Sequence, residues 1–336
     1  MSYCHIFKIC IDHISAILLF TKCVEGICLQ FNDYIKKCRQ HMQLTQEQLV
    51  HDLYSYSIEH FKSLDTRTLS KWERGDTKPK ASKQVSIIKY FQVKTGVALP
   101  CWTEYSIDEA ESQICKAGMG NLIGKSKKLI YDFPSEMMSV DDINVYPVRN
   151  FDNMDALIEN NMHLHQSLNH ESSQLSHEQF RKWAIHPDNL FLACEHKGTF
   201  LGLLFAARVK PSVLDKIVNL EMKKNEVSEN DFASFNEEGS ILLLSFFALN
   251  VKVATLLFIR FYAHIIANQK YIVDIGGITN SDEAKKLVSN MNLYYQNSLI
   301  TDDGVKITGY KQSLANVLAS EYAVKMLLSK QACPEE

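Results

Sequence analysis

None of the nine cysteines of this 336-residue chain stands in a Cys-x-x-Cys pair. They lie at 4, 10, 23, 28, 38, 101, 115, 194 and 333, odd in number and scattered. That pattern excludes the disulfide framework of a small secreted domain and points to reduced thiols in a cytoplasmic protein. Span-length apolar runs are also missing. The greasiest part of the first thirty residues, Ile14 to Phe20, is bracketed by Asp12, His13 and Lys22. It is too short to cross a bilayer, and the basic start of a secretion signal is absent. Ser240 to Ile266 is apolar but broken by Asn250, Lys252 and Arg260, so a strand followed by a helix is expected and no membrane contact. There is little net charge: −3 over the whole chain. Unlike parts compose that average. Phe31 to Gly96 holds 12 Lys/Arg against 7 Asp/Glu, which leaves 24 against 32 elsewhere. A basic module on an acidic body fits nucleic-acid contact confined to one end.

A phosphate-binding loop is lacking too. Gly118-Met-Gly-Asn-Leu-Ile-Gly-Lys-Ser126 ends as that motif ends, but Met119 stands where its first glycine belongs. Lys125, Lys127 and Lys128 beside it read as a solvated face, or as a contact to DNA backbone. No metal and no cofactor are expected. His163 and His165 are two apart on a helix and point in different directions. Cys194 and His196 share a strand face, but Cys194 reads as core. No catalytic residue is assigned.

What is present centres on Asp65-Thr-Arg-Thr-Leu-Ser-Lys-Trp-Glu-Arg-Gly75. Asp65 is a good N-cap, Leu69 and Trp72 share one face, and Gly75 suits the left-handed residue that ends a helix. The other face carries Thr66, Arg67, Ser70, Lys71 and Arg74, and Lys78 follows in the loop to Pro79. Cations and small hydroxyls on one side, apolar groups on the other, suit a helix that lies in a DNA major groove. Upstream, Thr45 can cap a helix that begins at Gln46, with Glu47 and Gln48 in its first turn. Phe31, Tyr34, Ile35 and Cys38 recur at helical spacing before it, and Val85 to Phe91 supplies one more apolar helix.

Ile35, Arg39, Leu44-Thr-Gln-Glu-Gln-Leu49, Thr68-Leu-Ser-Lys-Trp-Glu-Arg-Gly75 and Pro79 together resemble the Xre/Cro-type helix-turn-helix family over about sixty residues. The interval from Leu44 to Thr68, 24 positions, is longer than the family's, so Tyr54 to Ser63 is expected to lengthen the second helix and its turn. The resemblance implies that Thr66, Arg67 and Lys71 face bases. It also implies that Gln46, Thr68 and Arg74 contact phosphates, with Ser70 and Lys78 on the same surface.

From Asn144 strands and helices alternate. Strands are expected at Asn144–Arg149, Leu190–Glu195, Phe200–Val209, Ser240–Leu249 and Tyr271–Ile275, the last ended by Gly276-Gly277. Two more are expected near Leu293–Ile300 and Val305–Tyr310. Helices are expected at Met154–Leu168, Val253–Ala267, Ser281–Asn290 and Gln312–Lys330. This order, with Lys197-Gly198 and Leu201-Gly-Leu203, resembles the GCN5-related acetyltransferase (GNAT) fold over residues 143–310. The resemblance implies an acetyl-CoA loop at Leu249, Asn250, Lys252 and Ala254, of which only Ala254 matches the family pattern. Val288 takes the place of the usual tyrosine acid and Asn292 that of a glycine. Acetyl transfer is therefore not expected, and the cleft after Leu249 is a candidate effector pocket lined by 245–249 and 271–275.

The expected fold class is multidomain. An all-α helix-turn-helix domain (31–95) follows an apolar extension (1–30). A connector (96–142) leads to an α/β GNAT-like domain (143–310), then a C-terminal helix and tail (311–336). The reading is a sequence-specific transcriptional regulator that binds double-stranded DNA as a homodimer and senses a small-molecule or acyl effector. The dimer seams would be the first thirty residues and the final helix. Two alternatives stand: an active N-acetyltransferase with a helical targeting module, and an antitoxin-like protein-binding adaptor.

Overall fold

The computed structural model describes residues 29–115, 119, 122–123, 139, 142–150, 154–169, 176–302 and 304–328. The N-terminal part is helical. In α1 (Phe31–His41), Phe31, Tyr34, Ile35 and Cys38 form one stripe, all buried. In α2 (Gln46–Tyr56), a capping box joins Thr45 and Gln48 reciprocally, at 3.1 and 2.8 Å. Leu49 and Leu53 are its buried face. The longer interval before Thr68 does not extend α2. It forms a separate turn of helix, α3 (Ile58–Phe61), anchored by fully buried Phe61. In α4 (Thr66–Glu73), Asp65 Oδ1 accepts from the Thr68 amide at 2.7 Å, and Gly75 closes the C-terminus at φ +77°. Burying Ile87, Ile88, Tyr90 and Phe91, α5 (Ala81–Thr95) completes the group.

The rest is built on a mixed seven-stranded sheet with helices. Its strands are β1 (Asn144–Pro147), β2 (Leu190–His196), β3 (Thr199–Val209), β4 (Gly239–Ala248), β5 (Ile272–Thr279), β6 (Tyr294–Ile300) and β7 (Lys306–Ser313). The order is β1-β2-β3-β4-β5-β7-β6. Every neighbouring pair is antiparallel except β4–β5. A parallel pair needs a crossover, and α10 (Val251–Ala267) supplies it.

Among the described residues, α6 (Ile107–Gln113), α7 (Met154–Asn169), α8 (His177–Ile185) and α9 (Pro211–Val218) lie between α5 and α10. After it come α11 (Asp282–Asn290), α12 (Leu314–Leu318) and α13 (Glu321–Leu327). Alternation along each strand divides the core. Phe191, Ala193, Leu203 and Phe205 join α7, α8 and α9 on one face. Leu192, Cys194, Leu204 and Ile241 join α10 on the other. That second core continues without a break into the buried residues of α1 to α5. Polar contacts cross the same seam: Gln92 Nε2 donates to Ala315 O at 2.7 Å, and the Leu99 amide donates to Gln269 Oε1 at 2.6 Å.

Three further expectations are corrected. The Gly276-Gly277 pair does not end β5. Both glycines sit inside it, paired to Leu242 and Leu243 of β4 and to Lys311 and Tyr310 of β7. The final helix is two short ones, because Ala319-Ser320 breaks it and Ser320 caps the second. As a dimer seam that segment is already used: Leu314, Val317, Leu318, Val324 and Leu327 are buried within the chain, packed toward α5 and β5. Of the other seam, the first thirty residues, all but Leu29 and Gln30 lie outside the described residues, as do most of the 118–126 loop and Lys125, Lys127 and Lys128. Among the described residues no helix is long and apolar enough to cross a membrane.

Candidate functional site

The exposed side of α4 follows from its caps and its buried stripe. Leu69, Trp72 and Glu73 face inward, which leaves Arg67 and Arg74 exposed and Thr66, Thr68, Ser70 and Lys71 half-buried along the rim. Lys78 is exposed in the following loop. Hydrogen bonding to Thr68 holds the Asp65 carboxyl below its ordinary value, so the cap stays anionic at the positive end of the helix. Arg74 is braced locally. Its Nη1 donates to Ser70 Oγ at 2.6 Å, and its Nε and Nη2 donate to Asp76 Oδ2 at 3.0 and 2.7 Å. Exposed pairs of this kind are weak and can be exchanged for another anion.

Glu73 is the residue that orients this surface, and the sequence reading did not single it out. It is buried, and its carboxylate takes Arg39 Nε at 2.6 Å and Arg39 Nη2 at 2.9 Å. Gln46 Nε2 donates to the same carboxylate at 2.8 Å. Arg39 Nη1 also donates to Leu44 O at 2.8 Å. One buried anion thus ties α1, the start of α2 and the end of α4. The paired carboxylate raises the affinity of Arg39 for its proton. A signal was present: Glu73 is four after Leu69, on the buried face, where a carboxylate needs a cation. Gln46, expected at a phosphate, has its amide donor turned inward onto Glu73.

The second candidate lies where β4 and β5 part. Their pairing runs from Gly239–Ile272 to Leu243–Gly277 and stops there, while β4 continues to Ala248 on β3 alone. The open end is therefore flanked by 244–248 and by Ile278 and Thr279. Residues 271–275, expected to line it, lie at the closed end. Leu249 is half-buried and Asn250 is the buried N-cap of α10, its Oδ1 accepting from the Val253 amide at 3.0 Å. Lys252 stands half-buried in the first turn and Ala254 is fully buried. The Asn250 amide nitrogen and Ser245 Oγ are buried without a hydrogen-bond partner among the described residues. Asn292 adopts φ +67°, the backbone state that favours glycine at that point. Val288 is buried in α11, and Tyr294 and Tyr295 are exposed on the edge strand β6.

Burial pushes the Cys194 thiol up to about 12, which fits core and not a nucleophile. His196 Nδ1 lies 3.0 Å from Asp142 O. His163 is exposed, and the side chain of His165 lies outside the described residues. A cavity of about 310 Å³ is lined by Gln30, Phe31, Trp72, Lys78, Pro79 and Leu328. It adjoins the end of α4 and is not the cleft after Leu249.

No family model matches the chain, and no curated protein matches it. Solved structures do. Ard1 from Thermoplasma volcanium is 13% identical with a TM-score of 0.32, over 51% of this chain and 97% of that one. A GNAT-family acetyltransferase from Streptococcus pneumoniae is 11% identical with a TM-score of 0.32, over 51% and 99%. An aminoglycoside acetyltransferase in complex with coenzyme A is 10% identical with a TM-score of 0.30, over 52% and 95%.

Proposed function

We propose that residues 31–95 bind duplex DNA through α4, and that the sheet body is a GNAT-like platform for pairing two copies and for an acyl-type effector. The carrying observation is the buried Glu73 knot. It sets α4 against α1 and α2, so that Arg67, Ser70, Lys71 and Arg74 project from one fixed face. Thr66, Arg67 and Lys71 read base edges, and Thr68, Arg74 and Lys78 contact phosphates. Gln46 acts through Glu73 by fixing the register. A single small module contacts little surface, so two copies on paired half-sites are expected.

The test is selection of bound sequences from a random duplex pool, then titration at fixed salt. Arg67→Ala is expected to weaken the selected site by roughly 1–3 kcal/mol and to relax base preference. No enriched sequence, or unchanged affinity in Arg67→Ala, overturns the reading.

A second reading, acetyl transfer by the body, is favoured by the parting of β4 and β5 with the N-terminus of α10 at its open end. Such a terminus attracts phosphate. The solved structures above bear on this reading and not on the DNA contacts. Against turnover stand Lys252 in the first turn and Val288 without a transferable proton; general acid catalysis is worth roughly 10²–10⁴-fold. Calorimetry with acetyl-CoA and thiol release on mixed amines separate the two. Binding without release fits an effector cleft. Steady release makes the body an enzyme.

A further inference from the structure

Two thiols that no motif joins meet at the base of the helical part. Cys38, at the buried end of the α1 stripe, places its Sγ 3.3 Å from the Sγ of Cys101. The two are 63 positions apart in sequence. A disulfide holds its sulfurs about 2.05 Å apart, so bonding requires roughly 1.3 Å of further approach.

Cys101 lies in the turn that leads from α5 to the body, and it is held there. The Leu99 amide on one side donates to Gln269 Oε1 at 2.6 Å, and Trp102 on the other side is fully buried. The backbone of Cys101 is at φ +69°, a left-handed state that side-chain-bearing residues rarely adopt. Such strain persists only where the surroundings impose it. Here the imposed conformation holds the Cys101 sulfur against Cys38.

We propose that Cys38 and Cys101 form a redox-active dithiol, oxidised by a peroxide to an intramolecular disulfide and restored by a dithiol reductant. The two sulfurs have different parts. Cys101 is half-exposed and Cys38 is 1% exposed, so the oxidant meets Cys101 first. The hydrogen bond from Cys38, and then the charge of Lys37, lower the Cys101 thiol below its ordinary value against the opposing effect of burial. Burial raises Cys38 and its neighbour Tyr34. Cys101 is therefore the attacking thiolate and Cys38 the resolving thiol.

In the first step the Cys101 thiolate attacks one peroxide oxygen. The S–O bond forms as the O–O bond breaks, and the departing hydroxide takes a proton to leave as water. In the second, Cys38 loses its proton and attacks the Cys101 sulfenic acid. The S–S bond forms, the S–O bond breaks, and a second water leaves. Two thiols and one hydrogen peroxide yield one disulfide and two waters, the two electrons passing from sulfur to peroxide. The bond would staple α1 to the turn between α5 and the body. Arg39, next to Cys38, is the partner of Glu73, so the staple acts one residue from the knot that orients α4. The inference does not depend on DNA binding.

The experiment uses the full chain, reduced and then treated with one equivalent of hydrogen peroxide, quenched with N-ethylmaleimide and peptide-mapped. A Cys38–Cys101 crosslink that dithiothreitol reverses is expected. In Cys38→Ala, Cys101 should accumulate as a sulfenic acid that dimedone traps, and Cys101→Ser should form no crosslink at Cys38. The wild-type chain also gives a readout independent of either variant's folding: Cys101 should alkylate at least about tenfold faster than the buried, high-pKa Cys194. Both thiols still alkylatable after peroxide, a crosslink from Cys101 to a different cysteine, or Cys101 as slow as Cys194 would each overturn the proposal.

Discussion

His264, inside α10, shows how far one side chain can set a response to pH. It packs its ring edge-on to Phe235 at 5.5 Å, and its Nε2 has no hydrogen-bond partner among the described residues. Burial first, then the charges of Arg208, Arg260 and Arg149, lower its pKa to about 4. In the unfolded chain histidine titrates near its ordinary value of about 6.5. Between those values the unfolded state binds a proton that the folded state refuses. Stability is therefore full above pH 6.5 and falls as pH drops toward 4, by roughly 3 kcal/mol across the window. Denaturant unfolding at pH 7.5 and pH 4.5 measures that loss, and His264→Gln should remove most of it. A variant with the wild-type pH dependence would assign the effect elsewhere. Glu73 teaches a different lesson at the same scale. Its position on the buried face of α4 was readable from spacing, but not that Arg39 and Gln46 would both reach it, since that depends on how three helices cross.

Elements were legible where a cap and a stripe coincide. Thr45 with Gln48 sets the start of α2, and Asp65 with Gly75 delimits α4, in the sequence and in space; the end of α2 at Tyr56 carried no such signal. The hairpin at Lys197-Gly198 and the apolar run of β4 were equally plain. Two helices were not read. Pro211 at the first position of α9 was a start signal, with Val213, Leu214, Ile217 and Val218 as its buried side. In α8 the buried Phe180, Trp183 and Ala184 stand among charges. Gly276-Gly277 misled because glycine usually punctuates. Here Gly276 sits under Leu214 and Val218 of α9, which leaves little room for a side chain. Where β4 and β5 stop pairing was not legible, because ladder length is a tertiary outcome. Gly309 in β7 gives the matching prediction. A β-carbon there would fall on the Val218 carbonyl, backbone against backbone. Gly309→Ala is expected to cost about 3 kcal/mol, read as a lowered thermal midpoint. At Gly304, where a β-carbon meets nothing but φ is +80°, the cost should come from backbone strain alone and be smaller.

For the whole molecule, composition suggested a basic head on an acidic body, and the expected connector suggested two units. The core joins them instead. Cys115 donates its amide to Met326 O at 2.8 Å, and Arg260 of α10 pairs with Asp108 at 2.8 Å and with Glu111 of α6. Calorimetry should therefore show one unfolding transition; two separated transitions would mean that the shared core is not cooperative. The joint also has a geometric effect. A reading head on a slack tether can follow half-sites at several spacings. On the proposed function of residues 31–95, a head held through Gln92 and Leu99 to the body cannot. Two copies clasped body to body would be keyed to a single helical phase of the duplex. One inserted base pair, turning a half-site by roughly 35°, would move the second site out of reach.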